Sequence, residues 1–344
     1  MSVVPTATVT LGSLRYDQQV VGLVVRLAAL PEVSGARVTL PAAVRLDAVP
    51  GDPAQVDVGG VAVSGDEGPD TVLTGTVVRI RRGFDLVAVQ VADAAAALAT
   101  LRPAATYTAG TAADVVTALL GDAGAIPGDI QLDLPLAAYV ADQSRPATEH
   151  VARLAALSGG LATVGGDGAV SAVPLPTEPT VALRYGRDFT DYEVAERAAP
   201  AVQLVAVGAG PAGAAGAPDA LRPSAEPLPA DAPDPGPDAV RVPEPVLRTP
   251  AAASTAGKAA QALAAARARR LRARCVLLPA LRPGDVVEVQ ELPAGSPPGP
   301  WLLTRVEHRF TPGRGGTTTL DGLDAGAAAA GGLAGLLAAI GGLL

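Results

Sequence analysis

From Val3 to Val91 the chain alternates apolar and polar residues in short runs: TATVTL, VVGLVVRLAAL, ARVTLP, QVDVGGVAVSG, TVLTGTVVRIRR and FDLVAVQVAD. A period of two with Val, Thr, Leu and Ile is the signature of strands with one buried face, clearest over Thr71–Ile80 and Asp85–Val91. Gly59-Gly60, Gly68-Pro69 and Arg82-Gly83 mark the connections. Residues 1–103 therefore predict an antiparallel, barrel-like first domain, closed by a short helix over Asp93–Leu101 that Pro103 ends.

The period changes between residues 104 and 180, predicting a small α/β domain. Thr111-Ala-Ala-Asp114 has capping-box spacing, and Val115, Val116, Leu119 and Leu120 then form one apolar stripe up to a stop at Gly124. A second helix is predicted from Pro146 to Leu157, with Val151, Leu154 and Leu157 inward. LATVGGDGAVSAVPL reads as a hairpin turning at Gly165–Gly168.

Strand character returns in a second β-barrel-like domain, residues 181–324, with strands expected at Val181–Tyr185, Val202–Val207, Arg282–Val289, Trp301–Phe310 and Thr317–Leu320. Residues 208–250 are crowded with Pro, Ala and Gly and read as a long exposed loop. Ala251–Arg274 reads as a helix. Residues 325–344 form an apolar tail in which Leu333, Leu336, Leu337 and Ile340 recur at helical spacing, followed by Leu343 and Leu344. That tail is long enough to span a bilayer. Its glycines and its stripe favour instead a helix that docks on a partner or on another copy, the alternatives being membrane contact and disorder.

Composition narrows the classes. The 344 residues include 39 Gly and 32 Pro, and 34 acidic against 26 basic residues give a net charge of −8. This balance argues against a nucleic-acid binder. Lys258 is the only lysine and asparagine is absent, a bias expected of a GC-rich coding sequence. Cys275 is the only cysteine, so neither an internal disulfide nor a Cys-based metal site is expected. The N-terminus lacks the charged and apolar regions of a secretory signal, which predicts assembly in the cytoplasm.

Few residues offer chemistry. Gly208, Gly210 and Gly213 in LVAVGAGPAGAAGA fit the G-x-G-x-x-G spacing of flavin- and nicotinamide-binding domains, the basis of an alternative reading as an oxidoreductase. Pro218, Pro223, Pro227 and Pro229 leave no room for the helix that must follow, so a flexible loop is expected. His150 and His308, on a helix and in a strand, predict two separate structural histidines. Cys275 is expected to be a buried strand residue. Lys258, Arg267, Arg269, Arg270, Arg272 and Arg274 suggest a basic helix with 267, 270 and 274 on one face, solvated by default, turned next to an acidic partner protein and last to nucleic acid, because the rest of the chain is acidic. No catalytic, cofactor-binding or metal-binding residues are assigned, and an enzyme is not expected.

The order of these segments resembles the hub proteins of contractile phage tails and related injection systems, namely the late control D family and the N-terminal part of VgrG-type spike proteins. Thr74–Ile80 followed by FDLVAVQVAD is similar to the family's G-x-V strand and its partner strand ending in Asp. TYTAGTAADVVTALLGDAGA and ATEHVARLAALSGGLATV resemble its two helical segments, with Val151 where an aromatic is usual. LRPGDVVEV and WLLTRVEHRFTPGRGGTTTLDGL, which includes His308, are similar to its closing strands. The resemblance covers residues 1–323. It implies a mainly β, ring-forming homotrimer with two tube modules per subunit and a small α/β insertion. Such a ring adapts a trimeric spike to a hexameric tail tube. The implied partners are tail-tube and baseplate proteins and a spike, expected as a separate protein because no spike barrel or β-helix follows the second β region. The apolar tail is not a usual family feature; it is expected to pack in the ring's lumen or to touch tape-measure protein or cargo.

Overall fold

The computed structural model describes residues 5–60, 69–176, 178–198, 204–208 and 240–327. The first region forms β1 (Thr6–Leu11), β2 (Leu14–Tyr16), β3 (Gly22–Ala28), β4 (Gly35–Pro41), β5 (Pro53–Gly59), β6 (Asp70–Arg82), β7 (Leu86–Asp93) and helix α1 (Ala95–Thr100). The middle forms β8 (Ala105–Thr111), α2 (Ala112–Ala123), β9 (Pro127–Ile130), β10 (Pro135–Ala141), α3 (Ala147–Leu157), β11 (Gly160–Val164) and β12 (Val170–Pro174). The last region forms β13 (Val181–Arg184), β14 (Phe189–Glu196), β15 (Leu204–Gly208), β16 (Val240–Glu244), α4 (Pro250–Ala266), β17 (Arg269–Val276), β18 (Val286–Gln290), β19 (Trp301–Thr311) and β20 (Gly315–Asp324).

The first and last regions share one 13-stranded sheet. Its main path runs β14-β17-β20-β19-β3-β4-β7-β6-β5-β1-β2, with β18 on β19 and β13 on β18. The bond between regions is the antiparallel pair β3/β19, where Leu27 faces Val306 and Val25 faces His308. Alternation sets the buried face: Leu23, Val25 and Leu27 in β3 join Val306 and Phe310 in β19 and Leu271, Ala273 and Cys275 in β17 in one hydrophobic core. A second core unites the middle segment with α1 and α4 around Leu98, Val116, Leu120, Val151, Leu154 and Ala253.

Local chemistry explains the middle helices. The Thr111 hydroxyl accepts the Asp114 amide while the Asp114 carboxylate accepts the Thr111 amide, so α2 starts with both donors satisfied. Gly124 ends α2 with φ of 66°, a conformation that favours glycine. In the first sheet Gly75 faces Asp93 across β6/β7, and a Cβ there would overlap the Ala92 carbonyl oxygen. The glycine of the G-x-V stretch therefore permits the close approach of two backbones.

Three expectations are corrected. The helix expected over Ala251–Arg274 ends at Ala266; Arg269–Val276 is β17, whose arginines 270, 272 and 274 point outward while Leu271, Ala273 and Cys275 point inward. Arg267, Arg270 and Arg274 therefore share no helical face. The expected loop 208–250 contains β16, which pairs in parallel with β15, and Leu247 is buried in the second core. The acidic strand β14, with Asp191 and Glu193 exposed, was not expected; it is the partner of the arginines of β17.

Candidate functional surface

The outward face of β14-β17-β20-β19-β3 is a floor of charges whose signs alternate from strand to strand. In one row Glu193 faces Arg272, Arg272 faces Asp321 and Asp321 faces Arg305, which forks onto Glu32 with its Nε 3.1 Å from Oε2. In the next row Asp191 faces Arg274, and beyond Thr319 Glu307 faces Arg26. Glu307 is clamped by Arg26 at 2.6 Å and Arg309 at 2.5 Å, and the two arginines hold its carboxyl below the usual range against the opposing effect of burial. These residues line an open hollow of about 900 Å³. Arg26 and Arg272 are each 71% exposed, so the pairs add little stability. Their effect is to keep a broad sheet face polar and charge-balanced.

On the same face the pattern changes toward β6. Arg37 of β4 lies opposite Gln90 of β7, which lies opposite Arg79 of β6, and Arg81 lies opposite Ala88. A register shift at Val78 leaves that side chain 47% exposed.

Beneath the sheet, Arg282 ties three parts of the chain together. Its guanidinium donates to the carbonyls of Val72 at 3.0 Å and Thr71 at 2.5 Å in β6, and it lies against Gly166 in the β11–β12 turn. Asp285 accepts the Arg282 amide at 2.7 Å. Burial pushes the Asp285 carboxyl up and the Arg282 guanidinium down from their ordinary values. His308 is 1% exposed; burial, helped by the Arg282 charge, pushes it down to about 3. Thr318 accepts the Leu278 amide at 2.9 Å, and its hydroxyl lies 3.0 Å from His308 Nδ1.

Asp93 closes β7. Its Oδ1 accepts the Ala95 amide at 3.1 Å at the start of α1, its Oδ2 has no hydrogen-bond partner, and burial pushes the carboxyl up to about 6 despite contacts with Ser34.

The sequence candidates fall apart in space. His150 sits in the second core, where the Tyr139 hydroxyl lies 2.7 Å from Nδ1 and Nε2 donates to the Asp142 carbonyl at 3.1 Å, far in the fold from His308 in the sheet core. Cys275 is buried, and burial with the Asp188 charge pushes its thiol up to about 12. Gly208 ends β15, whereas Gly210 and Gly213 lie outside the described residues. Leu333, Leu336, Leu337, Ile340, Leu343 and Leu344 also lie outside them. Lys258 is exposed on α4, and Arg269 bonds Glu196 and Asp324 with its guanidinium 4.9 Å from the Trp301 ring centre. Among the described residues no His, Cys, Asp and Glu are grouped to hold a metal, and no helix is long and apolar enough to cross a membrane. The charged rows were missed because their members are up to about 280 residues apart in the chain.

No protein-family model matches the chain, and no curated protein matches it in sequence. Solved structures do match its fold over nearly its whole length. The 43 kDa tail protein of prophage MuSo2 from Shewanella oneidensis superposes with a TM-score of 0.69 at 14% identity, covering 94% of this chain and 99% of that one. The tail protein from Neisseria meningitidis MC58 gives 0.67 at 12% identity, covering 94% and 97%. An E. coli component of the type VI secretion system gives 0.60 at 11% identity, covering 92% and 76%. The mainly β fold is thus one shared with phage tail and type VI secretion proteins.

Proposed function

We propose that the chain is a structural hub subunit of the baseplate of a contractile phage tail or phage-like injection system, related to the late control D proteins. The observation that carries this reading is the superposition of 94% of the chain on 99% of a prophage tail protein. Three copies form a ring in which the two β regions of each subunit act as the tube modules, adapting a trimeric spike to a hexameric tube. The partners are the spike, tail-tube and baseplate proteins, and tape-measure protein or cargo. The role is architectural and uses no cofactor, and assembly takes place in the cytoplasm.

Light scattering on the purified chain, alone and mixed with the spike protein of the same particle, tests the ring. The expected species has three times the 34.0 kDa mass of the chain and no flavin absorbance. A monomer in both samples would overturn the trimer. Intact tails in electron micrographs of a strain lacking this chain would overturn the baseplate role.

A further inference from the structure

The most exposed large apolar side chain among the described residues is Phe84, 98% exposed at the turn between β6 and β7. The turn is built, since the Gly83 amide donates to the Leu86 carbonyl at 2.8 Å. Leu86 beside it is 48% exposed and Val78 on β6 is 47% exposed. Arg79, Arg81 and Arg82 lead into the turn, all exposed and without ion pairs among the described residues, against one local acid, Asp85. An exposed aromatic among free arginines is the composition of an interface anchor, and its positive charge stands out in a chain of net charge −8.

The complement lies on the same chain. Residues 104–180 hold eight acidic residues against Arg145 and Arg153, and Arg153 is already paired with Glu244. At one corner of this segment α2 ends without a basic residue in its last turn, so its terminal carbonyls present uncompensated negative potential. Asp122 and Asp129 are exposed on either side of Ile126, which is 63% exposed. The segment thus offers an exposed isoleucine just past the negative end of a helix, flanked along the chain by two exposed carboxylates.

We infer that the β6–β7 hairpin of one copy docks Phe84 and its arginines on the Ile126 corner of a second copy. The inference rests on the homo-oligomeric ring proposed above and assigns its contact. Two different patches meet, and a contact of that kind closes into a ring when its rotation allows. Apolar contact at Phe84 supplies the affinity, while the charges set orientation and encounter rate.

Light scattering over a concentration series of the full chain, at low and high salt, tests it. Phe84→Asp is expected to weaken association about tenfold or more, with an unchanged circular dichroism spectrum because the side chain is free in the subunit. Arg81→Glu with Arg82→Glu should weaken it too, and adding Asp122→Arg and Asp129→Arg should restore it. A chain carrying Phe84→Cys and Ile126→Cys should form disulfide-linked multimers on oxidation. A wild-type trimer with Phe84→Asp equally trimeric would overturn this contact and leave the ring standing. A monomeric wild type at every concentration, with or without spike, would overturn both. Weakening without cross-linking would show that the hairpin meets a different surface.

Discussion

Asp93→Asn should stabilise the protein above pH 6 and leave it nearly unchanged near pH 4. The carboxyl is 4% exposed, with one oxygen unpaired, and its value of about 6 in the fold exceeds the ordinary 3.8. Folding therefore favours its protonated form. Between those values the folded chain binds more protons than the unfolded one, so stability falls as pH rises through the window and the penalty is complete above pH 6. A difference of about two units corresponds to about 3 kcal/mol. Asparagine keeps the acceptor for the Ala95 amide, carries no charge and so escapes the penalty; imperfect pairing of its extra amide brings the expected gain at pH 7.5 to about 1–3 kcal/mol. Urea denaturation of both proteins at pH 4 and pH 7.5 measures it, with the shared contribution of His308 cancelling in the comparison. Equal effects at the two pH values would refute the reasoning, because an ordinary carboxyl would be ionised in both states over most of the range.

Arg282→Met should destabilise by about 2–4 kcal/mol in the same assay, through the lost donors to Thr71 and Val72 and the lost positive charge beside the buried Asp285 carboxyl; a loss below about 0.5 kcal/mol would show that the guanidinium is not a tie. Gly75→Val should abolish soluble expression or cost more than about 3 kcal/mol, since the Ala92 carbonyl occupies the space of the new side chain, and near-native thermal stability would contradict the close approach. Cys275 should resist a thiol reagent at pH 8 in the folded protein and react fully in denaturant, because burial holds its thiol protonated; rapid labelling of the native chain would overturn the buried placement.

Where a strand buries one face, its alternation was readable, and β1, β3, β4, β6 and β7 lie where the period of two placed them. The Thr111 box and Gly124 likewise act within a few residues of themselves. β17 misled because Arg fits a helix as well as a strand, an alanine-rich helix precedes it, and its inward residues Ala273 and Cys275 are weakly apolar. β14 carries three acids among its eight residues, and its neighbour β17 supplies the cations that pair with them; neither segment announces the other. The pairing of β3 with β19 has no local trace at all, and the charged rows depend on it.

That pairing also orders events during synthesis. Val25 cannot meet His308 until about 280 further residues have been made, whereas the middle segment builds its core with α1, made just before it, and α4. The strands made first must wait with an open edge on β3 for strands made last. A subunit truncated before β19 would keep that edge bare, with the backbone donors and acceptors of β3 unpaired on that side.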